Sequence, residues 1–211
     1  HLSIRRQRQM CIRDRAISPL LIRRLVNLDL EKKPALRFSR DMFLLSFYLR
    51  GIPFVDLVHL RKTDVKHNTI YYYRHKTRQQ LSVHIESYAA QIINRYKNEA
   101  ASSPYLLLIL SLTGEDGYRQ YKSALRLYNQ HLHTLSKMLR LSIPLTSYVA
   151  RHSWATTAKD EGVAISVISE SLGHTSEKVT HVYLASFDNN AMSKANKKVI
   201  ATIHPNKKKK P

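Results

Sequence analysis

The chain has 211 residues, the size of one ordinary domain, and 43% of them are apolar, which is enough to fill one core. Its 35 Lys and Arg residues against 15 Asp and Glu give a formal charge of +20, so a polyanionic partner is expected. No run of about 18 apolar residues is present, and no membrane partner is therefore expected. With one cysteine, Cys11, and no secretory signal, a reducing, cytoplasmic setting is expected.

The two ends of the chain differ from the rest. Residues 1–15, HLSIRRQRQMCIRDR, mix Arg and Gln without apolar periodicity, which is typical of a disordered basic arm. The same segment resembles translated sequencing-adapter sequence joined to a gene fragment, and on that interpretation it is non-native. We assign it no function, and residues 204–211, with their KKKK run, are expected to be a basic, disordered tail.

The first third of the remaining chain has helical spacing. Apolar positions in residues 16–36 predict one helix that Pro34 ends. RDMFLLSFYLR, residues 40–50, predicts a compact buried helix that stops at Gly51. Pro53 can then begin a short helix that extends through Leu60.

Between residues 65 and 85 the period changes to that of strands. Aromatic and β-branched residues, followed by apolar positions alternating with polar ones, predict a β-hairpin that turns near Thr77 to Gln79. A period of two would put Tyr72, Arg74 and Lys76 on one face.

Helices are predicted for most of the chain after the hairpin. One runs from Ile85 to about Ala101, and three more come after the SIPLTS breaker at 142–147: one closed by Gly162, one closed by Gly173, and a last one capped by Thr175 or Ser176. Before the breaker, a stripe spaced by three and four predicts a core-facing helix. The stripe comprises Tyr121, Leu125, Tyr128, Leu132, Leu135 and Leu139. The predicted fold class is mainly α with a small antiparallel β-sheet (α+β).

Four motifs in this framework carry chemistry. They are RHSWAT at 151–156, LGH at 172–174, Tyr183 nine residues later, and RxKT at 74–77 on the hairpin. Each alone has an ordinary structural explanation, since a helical tyrosine usually packs and a surface arginine or lysine usually caps or pairs. Together they resemble the catalytic domain of the tyrosine recombinases, also called phage-type integrases, over roughly residues 20–200. Stretches such as FYLRGIPFVDLVHLRK and ESLGHTSEKVTHVYLASFD look most like the integrases of Bacteroidetes mobile elements.

The resemblance implies that residues 16–203 are a tyrosine recombinase catalytic domain. Such an enzyme cleaves and rejoins DNA at specific sites through a covalent 3′-phosphotyrosyl intermediate and needs no ATP. By this resemblance Tyr183 is the nucleophile, Arg151 grips phosphate oxygens, Lys76 is the general acid and His174 hydrogen-bonds the phosphate. A phenol has a pKa near 10, so cationic neighbours would be needed to favour its phenolate.

The sequence departs from the family pattern at two places. Tyr148 stands where the family's HxxR motif has its histidine, on the same helical face as Arg151, and the adjacent His152 is expected to be a core or supporting residue. When the first arginine box is aligned on GIPFVDL, residues 51–57, the family arginine falls on Pro53. The second phosphate clamp must then come from elsewhere or be lost.

Two arginines are candidates for this second clamp. Arg74 shares a strand face with Lys76 and is favoured over Arg50, which ends the preceding helix. A structural salt bridge to Asp56 or Asp64 is the alternative explanation for either arginine. A separate difficulty concerns His174, because eight or nine residues of straight helix would place it about 13 Å from Tyr183. The two converge only if the chain bends or the phosphate lies between them.

The expected partner is double-stranded DNA, with no small-molecule substrate. Residues 189–203 could be a helix exchanged between subunits of a homo-tetramer on DNA, or they could fold back in cis.

The sequence has no HExxH motif and no Walker or dinucleotide loop among its five glycines, so no metal or cofactor is expected. Because the family normally carries a further N-terminal DNA-binding domain, the chain is expected to be a fragment. The alternatives are a catalytically impaired DNA-binding fragment of such an integrase and a basic RNA-binding protein.

Overall fold

The computed structural model describes residues 16–111 and 114–184. The predicted arm at 1–15, the proposed exchange segment at 189–203 and the tail at 204–211 lie outside these residues. The described helices are α1 (Pro19–Val26), α2 (Pro34–Tyr48), α3 (Phe54–Val58), α4 (Ser87–Arg95), α5 (Gly114–Met138), α6 (Val149–Asp160), α7 (Ile165–Leu172) and α8 (Glu177–Tyr183). Strands β1 (Val65–Lys66), β2 (Thr69–Tyr73) and β3 (Gln80–His84) form one antiparallel sheet in that order. The predicted fold class is thereby confirmed.

Helix α2 lies at the centre of the core. It packs against α1, α4, α5 and α6, and its Met42, Phe43 and Leu45 are fully buried. Helix α6 enters the same core through Val149 and Ala150, the two residues before Arg151. Burial of these apolar side chains, at roughly 25 cal/mol per Å², therefore fixes the helix that carries Arg151.

The beginning of the chain differs from the prediction. Residues 16–36 form two helical segments instead of one: α1 ends at Val26, and Pro34 begins α2 rather than ending the helix before it. Proline has no N–H to donate and its φ suits the first helical turn, where that N–H would have no helical partner. Between the helices the Asp29 carboxylate accepts a hydrogen bond of 3.0 Å from the Glu31 backbone N–H, which stabilises a turn.

The predicted hairpin is confirmed. Strands β2 and β3 pair with Ile70 opposite Val83 and Tyr72 opposite Leu81, and these four side chains form the buried face. Arg74, just past the end of β2, is also buried, but Lys76 is exposed. The expected common face fails at Lys76 because β2 ends at Tyr73 and the chain is already turning.

The helices of the second half follow the prediction, with one difference. Helix α4 ends at Arg95 instead of near Ala101. Gly162 and Gly173 come after α6 and α7 with φ of +82° and +62°, the left-handed conformation that commonly ends helices. Four members of the predicted α5 stripe (Tyr128, Leu132, Leu135 and Leu139) are buried in the core, and Tyr121 and Leu125 pack against it.

A second, smaller core lies under the end of the described chain. Ala155 of α6, Ile168 and Leu172 of α7, and Leu184 after α8 are buried together. This cluster fixes the order α6, α7, α8 in space. Across residues 16–111 and 114–184, no helix combines the length and the apolarity that crossing a bilayer requires.

Candidate active site

Two buried arginines meet at the carboxyl end of α7. Arg151 on α6 is 3% exposed and Arg74 after β2 is 4% exposed. The guanidinium group of each donates a hydrogen bond of 2.5 Å to the carbonyl oxygen of Leu172, the last residue of α7. This carbonyl is one that the helix itself leaves unpaired, and it lies at the negative end of the helix dipole. Helix α7 therefore gathers two positive charges at one point.

Two glycines allow the arginines to come this close. Gly51 has φ +71°, and a Cβ on it would lie 2.8 Å from the Cα of Arg151, whose guanidinium donates to the Gly51 carbonyl at 2.9 Å. Gly173 has φ +62°, and a Cβ there would lie 3.1 Å from both Cγ and Cδ of Arg74. From the sequence, these two residues are expected only to end helices. Their close contact with the arginines depends on tertiary packing, which the sequence pattern does not reveal.

Asp56 holds Arg74 in position from the opposite side. Its carboxylate lies 3.2 Å from Nε of Arg74 and accepts the His75 backbone N–H at 2.9 Å. Burial raises the pKa of Asp56, while the His75 amide and the charges of Arg74 and Arg151 act to lower it. The salt bridge considered as a structural alternative for Arg74 therefore exists, and it leaves the NH1 end of the guanidinium directed at Leu172.

His174 lies directly beside this pair of arginines. Its Nε2 is 3.3 Å from a terminal nitrogen of Arg151, and its Nδ1 is 2.8 Å from Oγ1 of Thr180 on α8. Burial, followed by the charges of Arg151, Arg74 and Lys76, lowers the pKa of His174 to about 4. The ring is therefore neutral at pH 7. Because Nε2 faces an N–H of Arg151, the arrangement fits a tautomer in which Nδ1–H donates to Thr180.

The hairpin turn lies against the loop that carries His174. Thr77 Oγ1 donates to the Gly173 carbonyl at 3.3 Å, and the exposed Lys76 is near enough to His174 to act on its pKa. The RxKT and LGH motifs, about 100 residues apart in sequence, are thus in contact, and the Thr77 bond joins residues separated by 96 positions.

Tyr148 lies at the rim of the site. It is the residue immediately before α6, 49% exposed, with its ring centroid 5.9 Å from that of His152. His152 itself is buried, at 5% exposure, in agreement with the prediction of a core or supporting residue.

Arg50 points toward a different element. One of its terminal nitrogens donates to the Ser82 carbonyl on β3 at 3.5 Å, and the side chain lines a cavity with Val167 and Glu170 of α7. Of the two candidate arginines, the structure thus places Arg74 next to Arg151, and Arg50 against the strand.

The chain bends between His174 and the final helix, so the two are not joined by one straight helix. After Gly173 the chain leaves the helix, and α8 begins at Glu177, preceded by Ser176 at the predicted capping position. Thr180, fully buried and bonded to His174, lies one turn before Tyr183, the last residue of α8. The Tyr183 side chain lies outside what the structure describes. Sequence reasoning misses Thr180, since no motif marks it.

The fold resembles those of solved recombinases. XerA recombinase matches with a TM-score of 0.60 and 19% identity, over 91% of this chain and 66% of XerA. XerH bound to its difH substrate matches with a TM-score of 0.61 and 14% identity, over 86% of this chain and 53% of XerH. The Tn1549 transposon integrase in complex with transposon right-end DNA matches with a TM-score of 0.61 and 13% identity, over 88% of this chain and 66% of the integrase. The chain thus spans between about half and just under two thirds of these proteins.

These likenesses define the class as the tyrosine recombinase catalytic-domain fold. Residues 23–190 match the model of the phage integrase family, which covers most of the chain. The chain belongs to the phage integrase family. No curated protein matches its sequence.

Proposed function

We propose that the chain is the catalytic part of a site-specific DNA recombinase that cleaves and rejoins strands through a 3′-phosphotyrosyl intermediate. The observation that supports this most is the meeting of Arg74, Arg151 and His174 at the end of α7. A phosphodiester placed there lies beside two guanidinium groups, whose positive charges can stabilise its oxygens. Stabilising charge on the nonbridging oxygens is the main requirement of phosphoryl transfer.

The proposed step conserves the number of phosphoester bonds. The Tyr183 phenol loses its proton to solvent, and its oxygen attacks phosphorus as the bond to the 5′-oxygen breaks. Lys76 gives a proton to that leaving oxygen. The 3′-phosphate stays on the tyrosine until a 5′-hydroxyl attacks in reverse. Rejoining therefore needs no ATP.

His174 can serve the phosphate through a change of tautomer. In the structure its Nε2 faces a donor, so it accepts. When a phosphate oxygen takes that position, Nε2 must donate, and Nδ1 must then accept. The Thr180 hydroxyl can either accept or donate, so the 2.8 Å contact supports both forms of the ring. Tyr148, half-exposed at the rim, is the proposed further donor in place of the family histidine.

The partners follow from this chemistry. Double-stranded DNA is the proposed substrate, consistent with the +20 charge and with the DNA bound in the XerH and Tn1549 complexes. We further propose a homo-tetramer on DNA that exchanges residues 189–203, an origin among Bacteroidetes mobile elements, and a location in the cytoplasm, where such DNA is found.

One alternative function has specific support. Tyr148 and Pro53 replace two family residues that contact the phosphate, which would suit a DNA-binding fragment with impaired catalysis. Duplexes recovered from a randomised pool by binding, and then nicked near the centre, distinguish the two functions. A recombinase leaves a protein–DNA adduct that survives denaturation, and Tyr183→Phe abolishes it. Binding by both proteins without any adduct would establish the alternative.

A further inference from the structure

A cleft walled by aromatic rings is lined in part by His75, the residue that follows Arg74. The cavity has a volume of about 370 Å³, and its ring-bearing residues are His59, His75, Tyr105, Tyr118 and Tyr121, here called the aromatic cleft. The volume is within the range of about 300–1,000 Å³ that is usual for small-ligand sites.

The rings of the cleft surround His59. Its ring centroid lies 6.0 Å from that of His75, 6.3 Å from that of Tyr121 and 6.5 Å from that of Tyr105. Its Nδ1–H donates to the Val55 carbonyl at 2.7 Å, which fixes the plane of the ring. His59 and His75 are both exposed, so flat apolar faces are presented to whatever enters.

A hydrogen bond and an ion pair, both made by Asp56, tie the cleft to the candidate active site. His75 directly follows Arg74, and its backbone N–H bonds to Asp56, the partner of Arg74. On the other wall, burial and then the Tyr148 phenol raise the pKa of Tyr121. The cleft is therefore joined to the Arg74 side of the candidate active site through Asp56.

Two lysines lie beside the rings of the cleft. The Lys122 ammonium lies 4.7 Å from the centroid of the Tyr118 ring, and Lys76 follows His75 in the hairpin turn. Rings with cationic neighbours are the combination that binds unstacked bases, because every base has a π-face and every nucleotide a negative phosphate. A base inside a duplex is covered on both faces and cannot reach such walls.

We propose that the aromatic cleft binds one unstacked DNA base next to the phosphate held by Arg74 and Arg151. The inference rests on the proposed function for the position of that phosphate. The base lies against the His59 ring, with Tyr105 and Tyr121 at its edges. In its uncharged form the His59 ring, whose Nδ1–H is already committed to Val55, offers Nε2 as an acceptor for an N–H group of the base, such as N3–H of thymine. The cleft thus favours DNA that is unpaired or easily opened at the cleavage site.

Binding of three short duplexes with the same sequence tests this, measured by fluorescence anisotropy. One is fully paired, one carries a single unpaired thymine, and one carries an abasic residue at that position. We expect the wild type to bind the thymine duplex about tenfold more tightly than the abasic one, the size of one stacking contact. His59→Ala and, separately, Tyr118→Ala should bring this ratio close to one while affinity for the paired duplex stays the same.

His133→Ala is the matched control and should keep the wild-type ratio. His133 is an exposed histidine on α5, about three turns beyond Tyr121 on the same helix. Equal binding of the thymine and abasic duplexes by the wild type would overturn the proposal. So would a uniform loss of affinity for all three duplexes in both cleft variants. Since no cleavage is measured, the whole series can use Tyr183→Phe protein, and failure to form a covalent adduct would refute the recombinase chemistry without changing this ratio.

Discussion

Arg74 and Arg151 donate to the same oxygen, the carbonyl of Leu172, each at 2.5 Å. Like charges held this close in a buried place repel one another, and the helix dipole and Asp56 offset only part of that repulsion. An incoming phosphate diester supplies the further negative charge that such an arrangement favours. The pairing of these two residues is therefore the feature from which a DNA-cleaving function can best be tested.

The first prediction concerns which arginine completes the clamp. Arg74→Ala should slow adduct formation on a nicked duplex by about 100- to 1,000-fold, the usual cost of removing one charge-stabilising donor. Arg50→Ala should change the rate little, because its one described hydrogen bond is 3.5 Å long and points to β3. The rates are measured on denaturing gels.

A folding defect must be separated from this loss, because Arg74→Ala leaves the buried Asp56 without its ion-pair partner. Arg74→Met combined with Asp56→Asn is the matched variant, since the amide oxygen can still accept the His75 N–H. It should melt near the wild type and still fail to cleave. Loss of cleavage in Arg50→Ala with normal cleavage in this double variant would mean that Arg50 is the clamp.

The second prediction concerns Gly51. Gly51→Ala forces a Cβ to within 2.8 Å of the Arg151 Cα, a backbone atom that cannot rotate away. Gly162→Ala is the matched control, since its φ of +82° is similarly left-handed but no described atom lies within 4 Å of the new Cβ. We expect about 1 kcal/mol of lost stability for Gly162→Ala from backbone strain, and about 3 kcal/mol for Gly51→Ala from strain plus overpacking. Urea denaturation measures both, and equal losses would contradict the close packing.

The third prediction is a dependence of stability on pH. The pKa of His174 is about 4 in the folded chain, against about 6.5 for an ordinary histidine. Between pH 6.5 and 4 the unfolded chain therefore binds a proton that the folded chain does not, so the stability that neutral His174 provides is lost as the pH falls through this window. Above pH 6.5 it is fully present.

Because His174 is partly exposed, we expect the free energy of unfolding to fall by about 1–2 kcal/mol, which is less than the free energy equivalent to the full pKa shift. His174→Gln should lack this component, so the difference in the free energy of unfolding between wild type and variant should shrink between pH 7 and pH 4.5. A difference that stays constant over that range would show that His174 titrates normally.

The fourth prediction concerns Thr180, the buried partner of His174. Thr180→Val keeps the shape but removes the hydroxyl that the ring contacts at 2.8 Å. We expect adduct formation to slow about tenfold, the equivalent of one hydrogen bond that orients the imidazole. Thr180→Ser retains the hydroxyl and should stay near the wild-type rate. Equal defects in the two variants would indicate that packing, rather than the hydrogen bond, is what matters at this position.

Local pattern is sufficient for much of the fold. The three-and-four spacing from Tyr121 to Leu139 identifies α5 and its buried face, and the glycines at 162 and 173 mark where helices end. The prediction for Pro34 is wrong because proline is common both just after the end of a helix and in the first turn of the next helix. Its local sequence does not distinguish the two positions.

The candidate site is only partly predictable. Strand alternation favours Arg74 over Arg50, yet Arg74 is placed by Asp56, Gly173 and the end of α7, none of which periodicity reveals. The Leu172 carbonyl carries no side-chain signal at all, since any residue supplies the same group. Contacts between residues 98 positions apart, as between Arg74 and Leu172, arise from tertiary packing that spacing does not record.

The proposed chemistry requires that Tyr183 attacks a phosphate held by Arg74 and Arg151. Mapping the covalent adduct tests this, using a nicked duplex labelled separately on each side of the cleavage point and mass spectrometry of the tryptic peptides. We expect the DNA segment on the 5′ side to remain attached through its 3′-phosphate, on the peptide that contains Tyr183. An adduct on any other residue, or one through a 5′-phosphate, would refute this mechanism.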